Sequence, residues 1–92
     1  MPLYVISYDF HKERNYTRLY KLLSEWRAVP LLESLWFANL NGTAAGVRDA
    51  LTKVGDSDDT FAVIELKNGS DWATLKSADP RGIRWLQANI KA

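Results

Sequence analysis

The chain contains no cysteine and only one histidine among its 92 residues. The lack of cysteine excludes disulfides, thiol catalysis and cysteine-ligated zinc, and it is typical of a cytoplasmic protein. A single histidine cannot form a histidine metal cluster. Neither Ser7 nor Ser34 has a histidine and an acid near it in a pattern that indicates a hydrolase triad.

An excess of charge of one sign is also missing, because 12 basic and 11 acidic residues leave a net charge of +1. We therefore expect no strong nonspecific binding of nucleic acid, and any contact with it would be a local patch. The N-terminal apolar run is too short for a signal or membrane helix and lacks a basic flank. Gly42, Gly46 and Gly55 do not form a phosphate-binding loop. These features predict a soluble chain located in the cytoplasm.

The apolar pattern predicts strands that alternate with helices. A β-branched and aromatic run predicts a first strand at 3–10, and a similar run predicts another at 60–66. The stretch 31–40 predicts either one bent strand or two short strands with a kink near Glu33. Pro30 cannot donate a ladder hydrogen bond, so we expect it at a sheet edge or a strand start.

Three stretches have the apolar spacing of helices. The first stretch has one apolar face, which is formed by Tyr16, Leu19, Tyr20, Leu23 and Trp26. The second begins after Thr43 as N-cap, and we expect Gly55 to end it in the left-handed conformation. The third begins at Pro80 after the N-cap Asp79. Before it, 72–75 is interpreted as a short strand or as irregular structure.

This order predicts an α+β fold, a ferredoxin-like sandwich of βαββαβ order in one domain, 1–92. Its core is expected at 3–67, with a C-terminal helical extension at 68–92. The first strand is apolar on both faces, with Leu3 and Val5 on one and Tyr4 and Ile6 on the other. The second sheet face therefore needs a cover, either the C-terminal segment or another copy of the chain. We favour a homodimer formed through the sheet.

Asp9 is an unusual residue because it ends an apolar strand. A carboxylate there loses hydration unless it is paired, hydrogen-bonded or bound to a metal. The alternative is that Asp9 caps the following turn and faces water. His11, two residues later, is a weaker candidate for a general base. The acids of 56–59 are better interpreted as a solvated turn, because the glycine and distal glutamate of an EF-hand are missing.

The spacing of three short motifs resembles a known family. Tyr8-Asp9 ends the first strand, Ser34-Leu35-Trp36 lies in the next extended segment, and Asp59 opens the last core strand. This arrangement is similar to the small CRISPR-associated adaptation protein that partners the integrase. It is also similar to that family's relatives, the virulence-associated protein D ribonucleases and the SinR-type proteins. The resemblance covers approximately 3–67.

The resemblance implies a site shared by two protomers. In the family, the strand-one aspartates of a homodimer hold one divalent cation, so Asp9 would be both a catalytic residue and the ligand of Mg²⁺ or Mn²⁺, with one ion per dimer. Tyr8 matches the tyrosine before that aspartate and is counted with it as catalytic. The residues that would contact substrate are Arg14, Arg18, Ser34 and Trp36. The implied chemistry is hydrolysis of a phosphodiester by a metal-polarised water.

Three functions stay open at this point. The first is a dimeric, metal-dependent endoribonuclease or nuclease-like protein of antiviral defence, with RNA or DNA as its substrate. The second is a non-catalytic homodimeric scaffold that binds a protein or a nucleic-acid complex. The balanced charge of the chain favours this scaffold. So does Pro30, because the family usually has at this position an arginine that contacts the nucleic-acid backbone. The third is an antitoxin-like regulatory partner that uses the C-terminal helix around Trp85.

Overall fold

The computed structural model of the chain describes residues 2–9, 16–55, 59–76 and 78–90. These residues form a small α+β globule of four strands and three helices: β1 (Leu3–Asp9), α1 (Thr17–Glu25), β2 (Val29–Leu32), β3 (Leu35–Asn39), α2 (Ala44–Thr52), β4 (Thr60–Leu66) and α3 (Pro80–Asn89). The strands form one sheet in the order β2-β3-β1-β4. All neighbouring strands run antiparallel.

The extended stretch after α1 forms two short strands, which confirms one of the two predicted alternatives. β2 and β3 are separated by a turn at Glu33 and Ser34. Pro30 lies in β2, which is an edge strand, as expected for a residue without an N–H group. The register shifts between Pro30 and Leu32. The carbonyl of Leu31 accepts a hydrogen bond from the backbone N–H of Asp79 at 2.8 Å.

Two predicted helix caps are confirmed. Thr43 precedes α2, and its hydroxyl accepts a hydrogen bond from the backbone N–H of Gly46 at 3.0 Å. Asp79 precedes α3, and its carboxylate accepts from the backbone N–H of Arg81 at 2.8 Å. Each cap satisfies a backbone donor that has no partner within the helix.

The prediction for Gly55 is wrong. α2 ends at Thr52, and Gly55 is not among the glycines with a positive φ. The position favours glycine for lack of space, since an added Cβ would lie 2.7 Å from the ring of Phe61. A sequence pattern cannot distinguish this packing requirement from a helix-ending glycine.

One face of the sheet packs against α1 and α2, and we call it the helix face. β1 contributes its alternate residues Tyr4, Ile6 and Tyr8, all of which are buried. They form one core with buried residues of α1, β3 and α2, namely Leu19, Leu23, Ala38, Val47 and Leu51. Tyr20, which was predicted on the apolar face of α1, is 44% exposed.

α3 covers part of the opposite face, which we call the second face. Leu86 and Ile90 of α3 form a second buried cluster with Phe37 of β3. The rings of Trp85 and Phe37 stack with their centroids 4.6 Å apart and their planes at 3°. The C-terminal helix thus supplies a cover for β2 and β3, which was one of the two covers that the sequence left open.

Part of the second face over β1 and β4 stays accessible. In the register of these strands, Asp9 is opposite Thr60 and Ser7 is opposite Ala62. We call the exposed residues Asp9, Thr60, Ala62 and Ile64, with the half-buried Ser7, the open patch. Ile64 is 58% exposed, so this patch presents apolar surface to water at one end and the Asp9 carboxylate at the other. In the described part of the chain, no helix is both long enough and apolar enough to span a bilayer.

Candidate functional site

Tyr8 and Asp9 lie on opposite faces of the sheet, because successive strand residues alternate. Tyr8 is 6% exposed and belongs to the helix-face core. Asp9 is exposed and shares the second face with Ser7 and Val5. Both residues still border one cavity of about 230 Å³ at the end of β1, which Ser34 also lines.

The Tyr8 hydroxyl connects the end of β1 to the turn between β2 and β3. It donates a hydrogen bond to the carbonyl of Glu33 at 2.8 Å and accepts one from the indole N–H of Trp36 at 3.1 Å. The backbone N–H of Tyr8 donates to the carbonyl of Ser34 at 3.1 Å. These contacts hold the turn against the strand that ends at Asp9.

Burial controls the ionisation of Tyr8. Desolvation raises the pKa of Tyr8 to about 12; the hydrogen bond from Trp36 lowers it, whereas Tyr20 and Glu33 raise it. An unperturbed tyrosine titrates near pH 10, so the Tyr8 phenol is neutral at physiological pH. In this state it acts as a donor and acceptor of hydrogen bonds and not as a base.

Within a single chain, Asp9 and Glu33 both border the cavity at the end of β1. Among the residues that the structure describes, no three or more histidine, aspartate or glutamate side chains group so that they could hold a metal ion. Mg²⁺ is usually bound by one or two carboxylates together with water and substrate phosphate. Asp9 can contribute one ligand to such a site, and a second carboxylate can come from Glu33 of the same cavity or from a second copy of the chain.

Trp36 lies on the helix face beside Tyr20, with ring centroids 6.2 Å apart and planes at 35°. The two rings line a larger cavity of about 620 Å³, together with Pro30, Leu32, Glu33 and residues 79–81 at the start of α3. Of the residues that line this cavity, only Trp36 was predicted from the sequence to contact a substrate. One signal for a partly exposed Tyr20 was present in the sequence. Tyr20 directly follows Leu19, which is buried, and therefore lies at the border of the apolar stripe of α1.

Arg18 lies on a different part of the surface from Ser34 and Trp36. Its guanidinium donates a hydrogen bond to the carbonyl of Lys53 at 2.8 Å, which joins α1 to the end of α2. It borders a separate cavity with Lys21 and Val54, among other residues. Arg14, His11 and the acids at 56–58 lie outside the described residues.

No family model, curated protein or solved structure matches this chain. A function therefore has to be inferred from its residues and their arrangement.

Proposed function

We propose that the chain is a ferredoxin-like homodimer related to the CRISPR-associated adaptation proteins and the virulence-associated protein D ribonucleases. The dimer would act as a metal-dependent endoribonuclease at a site formed by two copies of Asp9. The observation that carries this proposal is the place of Asp9, exposed at the end of β1 within the open patch.

The topology supports the ferredoxin-like part of the proposal. Strands and helices follow one another as βαββαβ before the C-terminal helix, and the sheet order is β2-β3-β1-β4. α1 and α2 share one core on the helix face. Such an arrangement leaves the second face for α3 and for another cover.

The open patch supports the homodimer. Ile64 is 58% exposed, and the neighbouring Ala62 is exposed as well, so contact with a second copy would remove apolar surface from water. A twofold contact is made by the same patch on both copies. The two Asp9 carboxylates would approach each other in a dimer whose twofold axis passes beside the end of β1.

Two approaching carboxylates repel unless a proton or a cation lies between them. The dimer would therefore form a cation site with Asp9 of each copy as ligand of Mg²⁺ or Mn²⁺. When bound, such an ion polarises and orients a water for attack on a phosphodiester. Tyr8 would be a positioning residue, since its hydroxyl holds the β2–β3 turn against the end of β1.

Arg18 favours a second candidate function, a non-catalytic homodimeric scaffold that binds a protein or a nucleic-acid complex. Its guanidinium is engaged by the carbonyl of Lys53. To hold a substrate phosphate, Arg18 would have to give up a contact that joins α1 to the end of α2. The scaffold would keep the same dimer but would cleave nothing.

The test compares the wild type with Asp9→Asn and with Asp49→Asn. Asp49 is a matched control because it is an exposed aspartate on α2, paired with Arg48 at 3.0 Å and outside the open patch. Labelled RNA and DNA are incubated with each protein in Mg²⁺, in Mn²⁺ and in chelator, after the dimeric mass has been measured by light scattering.

The nuclease proposal predicts metal-dependent cleavage by the wild type and by Asp49→Asn and none by a dimeric Asp9→Asn. A dimeric wild type that cleaves no substrate would favour the scaffold. Cleavage that persists in Asp9→Asn would contradict the role of Asp9, and a monomeric wild type would contradict both candidates.

A further inference from the structure

The larger cavity forms a groove with aromatic and apolar walls, which we call the aromatic groove. It is lined by Tyr20, Pro30, Leu32, Glu33, Trp36 and residues 79–81. Leu32 is 53% exposed and Tyr20 is 44% exposed, so two large apolar side chains face water within one cavity. Its volume of about 620 Å³ is in the range of sites that hold drug-sized ligands.

The charges of the aromatic groove favour a cation. Glu33 is exposed and forms no ion pair with another described residue. Arg81 is engaged within the chain, because its guanidinium donates to both carboxylate oxygens of Asp79, at 2.8 and 3.2 Å. The hydrogen bonds from Arg81 lower the pKa of Asp79, so this pair is ionised and neutral overall. Among the described residues that line the groove, Glu33 is the charged side chain without an ion pair, and Arg84 adds a positive charge near Asp79.

The aromatic rings of the groove also favour a cation. The faces of Tyr20 and Trp36 carry the negative part of the ring quadrupole, which attracts ammonium and guanidinium groups. A phosphate backbone would meet the Glu33 carboxylate and would find Arg81 already bound. The groove is thus better suited to a basic protein segment than to a nucleic acid.

The edge of β2 limits how such a segment can bind. Pro30 has no N–H group, and the carbonyl of Leu31 already accepts the N–H of Asp79. These two features disfavour the pairing of a partner strand here and favour binding through side chains.

We propose that the aromatic groove is a docking site for a segment of a partner protein in which an arginine or lysine stands next to an apolar side chain. The apolar side chain packs on the exposed Leu32, and the cation lies between the aromatic rings and Glu33. This site adjoins the cavity of Asp9, which Tyr20 and Glu33 also line, but it takes a different ligand and would serve a nuclease or a scaffold equally.

The experiment selects random short peptides displayed on phage against the wild-type protein. Selected peptides are then labelled and titrated by fluorescence anisotropy against the wild type, Tyr20→Ala and Glu33→Gln. Glu33→Gln removes the charge but keeps the backbone carbonyl that Tyr8 uses. The matched controls are Leu75→Ala, at a side chain that is 83% exposed outside the groove, and Glu25→Gln, at an exposed acid of α1.

The proposal predicts that selected peptides carry arginine or lysine beside an apolar residue. Their affinity should fall about fivefold in Tyr20→Ala and in Glu33→Gln, as expected for an exposed cation–π contact or ion pair, and should not change in the controls. Melting temperatures of all variants check that the fold is retained.

Three results would overturn the proposal. One is that no selected peptide loses affinity in the groove variants. Another is that the groove-dependent peptides are acidic or uncharged. The third is that a labelled single-stranded RNA, and not a peptide, binds with an affinity that depends on Tyr20 and Glu33.

Discussion

Replacing Tyr8 with phenylalanine removes a hydroxyl that lies between the carbonyl of Glu33 and the indole of Trp36. The variant loses the hydrogen bond to the carbonyl of Glu33, at 2.8 Å, and the one from the Trp36 indole, at 3.1 Å. The indole N–H still lies 3.4 Å from the Glu33 carbonyl, which limits the loss. At about 1 kcal/mol for each hydrogen bond, we expect Tyr8→Phe to destabilise the fold by about 1–2 kcal/mol at pH 7.

The same substitution changes how stability depends on alkaline pH. The folded pKa of Tyr8, raised by burial to about 12, is higher than the value of about 10 expected in the unfolded chain. The stabilisation linked to this difference is fully present below about pH 10 and is lost as the pH rises towards 12. A two-unit difference corresponds to about 2.7 kcal/mol at that upper limit. The advantage of the wild type over Tyr8→Phe should therefore shrink above pH 10.

The assay is urea unfolding followed by circular dichroism at pH 7, 9, 10 and 11. A double-mutant cycle with Trp36→Phe isolates the contact between the hydroxyl and the indole, for which we expect a coupling of about 1 kcal/mol. An unchanged free energy of unfolding in Tyr8→Phe would refute the placement of this hydroxyl. The same result would follow if the wild type and Tyr8→Phe lost equal amounts of unfolding free energy above pH 10.

Two further predictions test how α3 is attached to the sheet. Gly82→Ala should destabilise the fold by about 1–3 kcal/mol, because its Cβ would lie 2.6 Å from the carbonyl oxygen of Pro30. Gly46 occupies the same position in α2 but is exposed, so Gly46→Ala should leave the free energy of unfolding unchanged or raise it by up to about 1 kcal/mol. Equal urea midpoints for Gly82→Ala and Gly46→Ala would contradict the close packing of Gly82. Asn39→Ala should cost about 1–3 kcal/mol, because it leaves without a partner the indole N–H of Trp85 that donates to Asn39 at 2.7 Å. An unchanged melting temperature would show that this contact does not hold α3.

Much of the fold could be predicted because local chemistry decides it. Thr43 and Asp79 are N-caps in the structure, as their side chains indicated, and the apolar run at 60–66 is β4. Gly82 shows where local reasoning ends. Its burial depends on the approach of α3 to the backbone of Pro30 and Leu31, which lie about fifty residues earlier in the chain.

The candidate site was harder to predict than the fold. The period of a strand already separates Tyr8 from Asp9, so their opposite faces could have been expected from the sequence. The partners of Tyr8 could not, because Glu33 and Trp36 reach it only after the turn has folded against β1. The pairing of Arg18 with the end of α2 is likewise a tertiary contact without a local signal.

The approach of two Asp9 residues across a homodimer is the central claim, and the lack of cysteine makes it directly testable. In Asp9→Cys the only thiol of the chain stands at this position, and a disulfide requires two Cα atoms within about 7 Å. Asp49→Cys, on α2, is the matched control. If the two Asp9 side chains meet, mild oxidation converts Asp9→Cys into a covalent dimer, seen on a non-reducing gel, much faster than Asp49→Cys. Equal rates for the two variants would contradict a dimer in which the two Asp9 side chains meet.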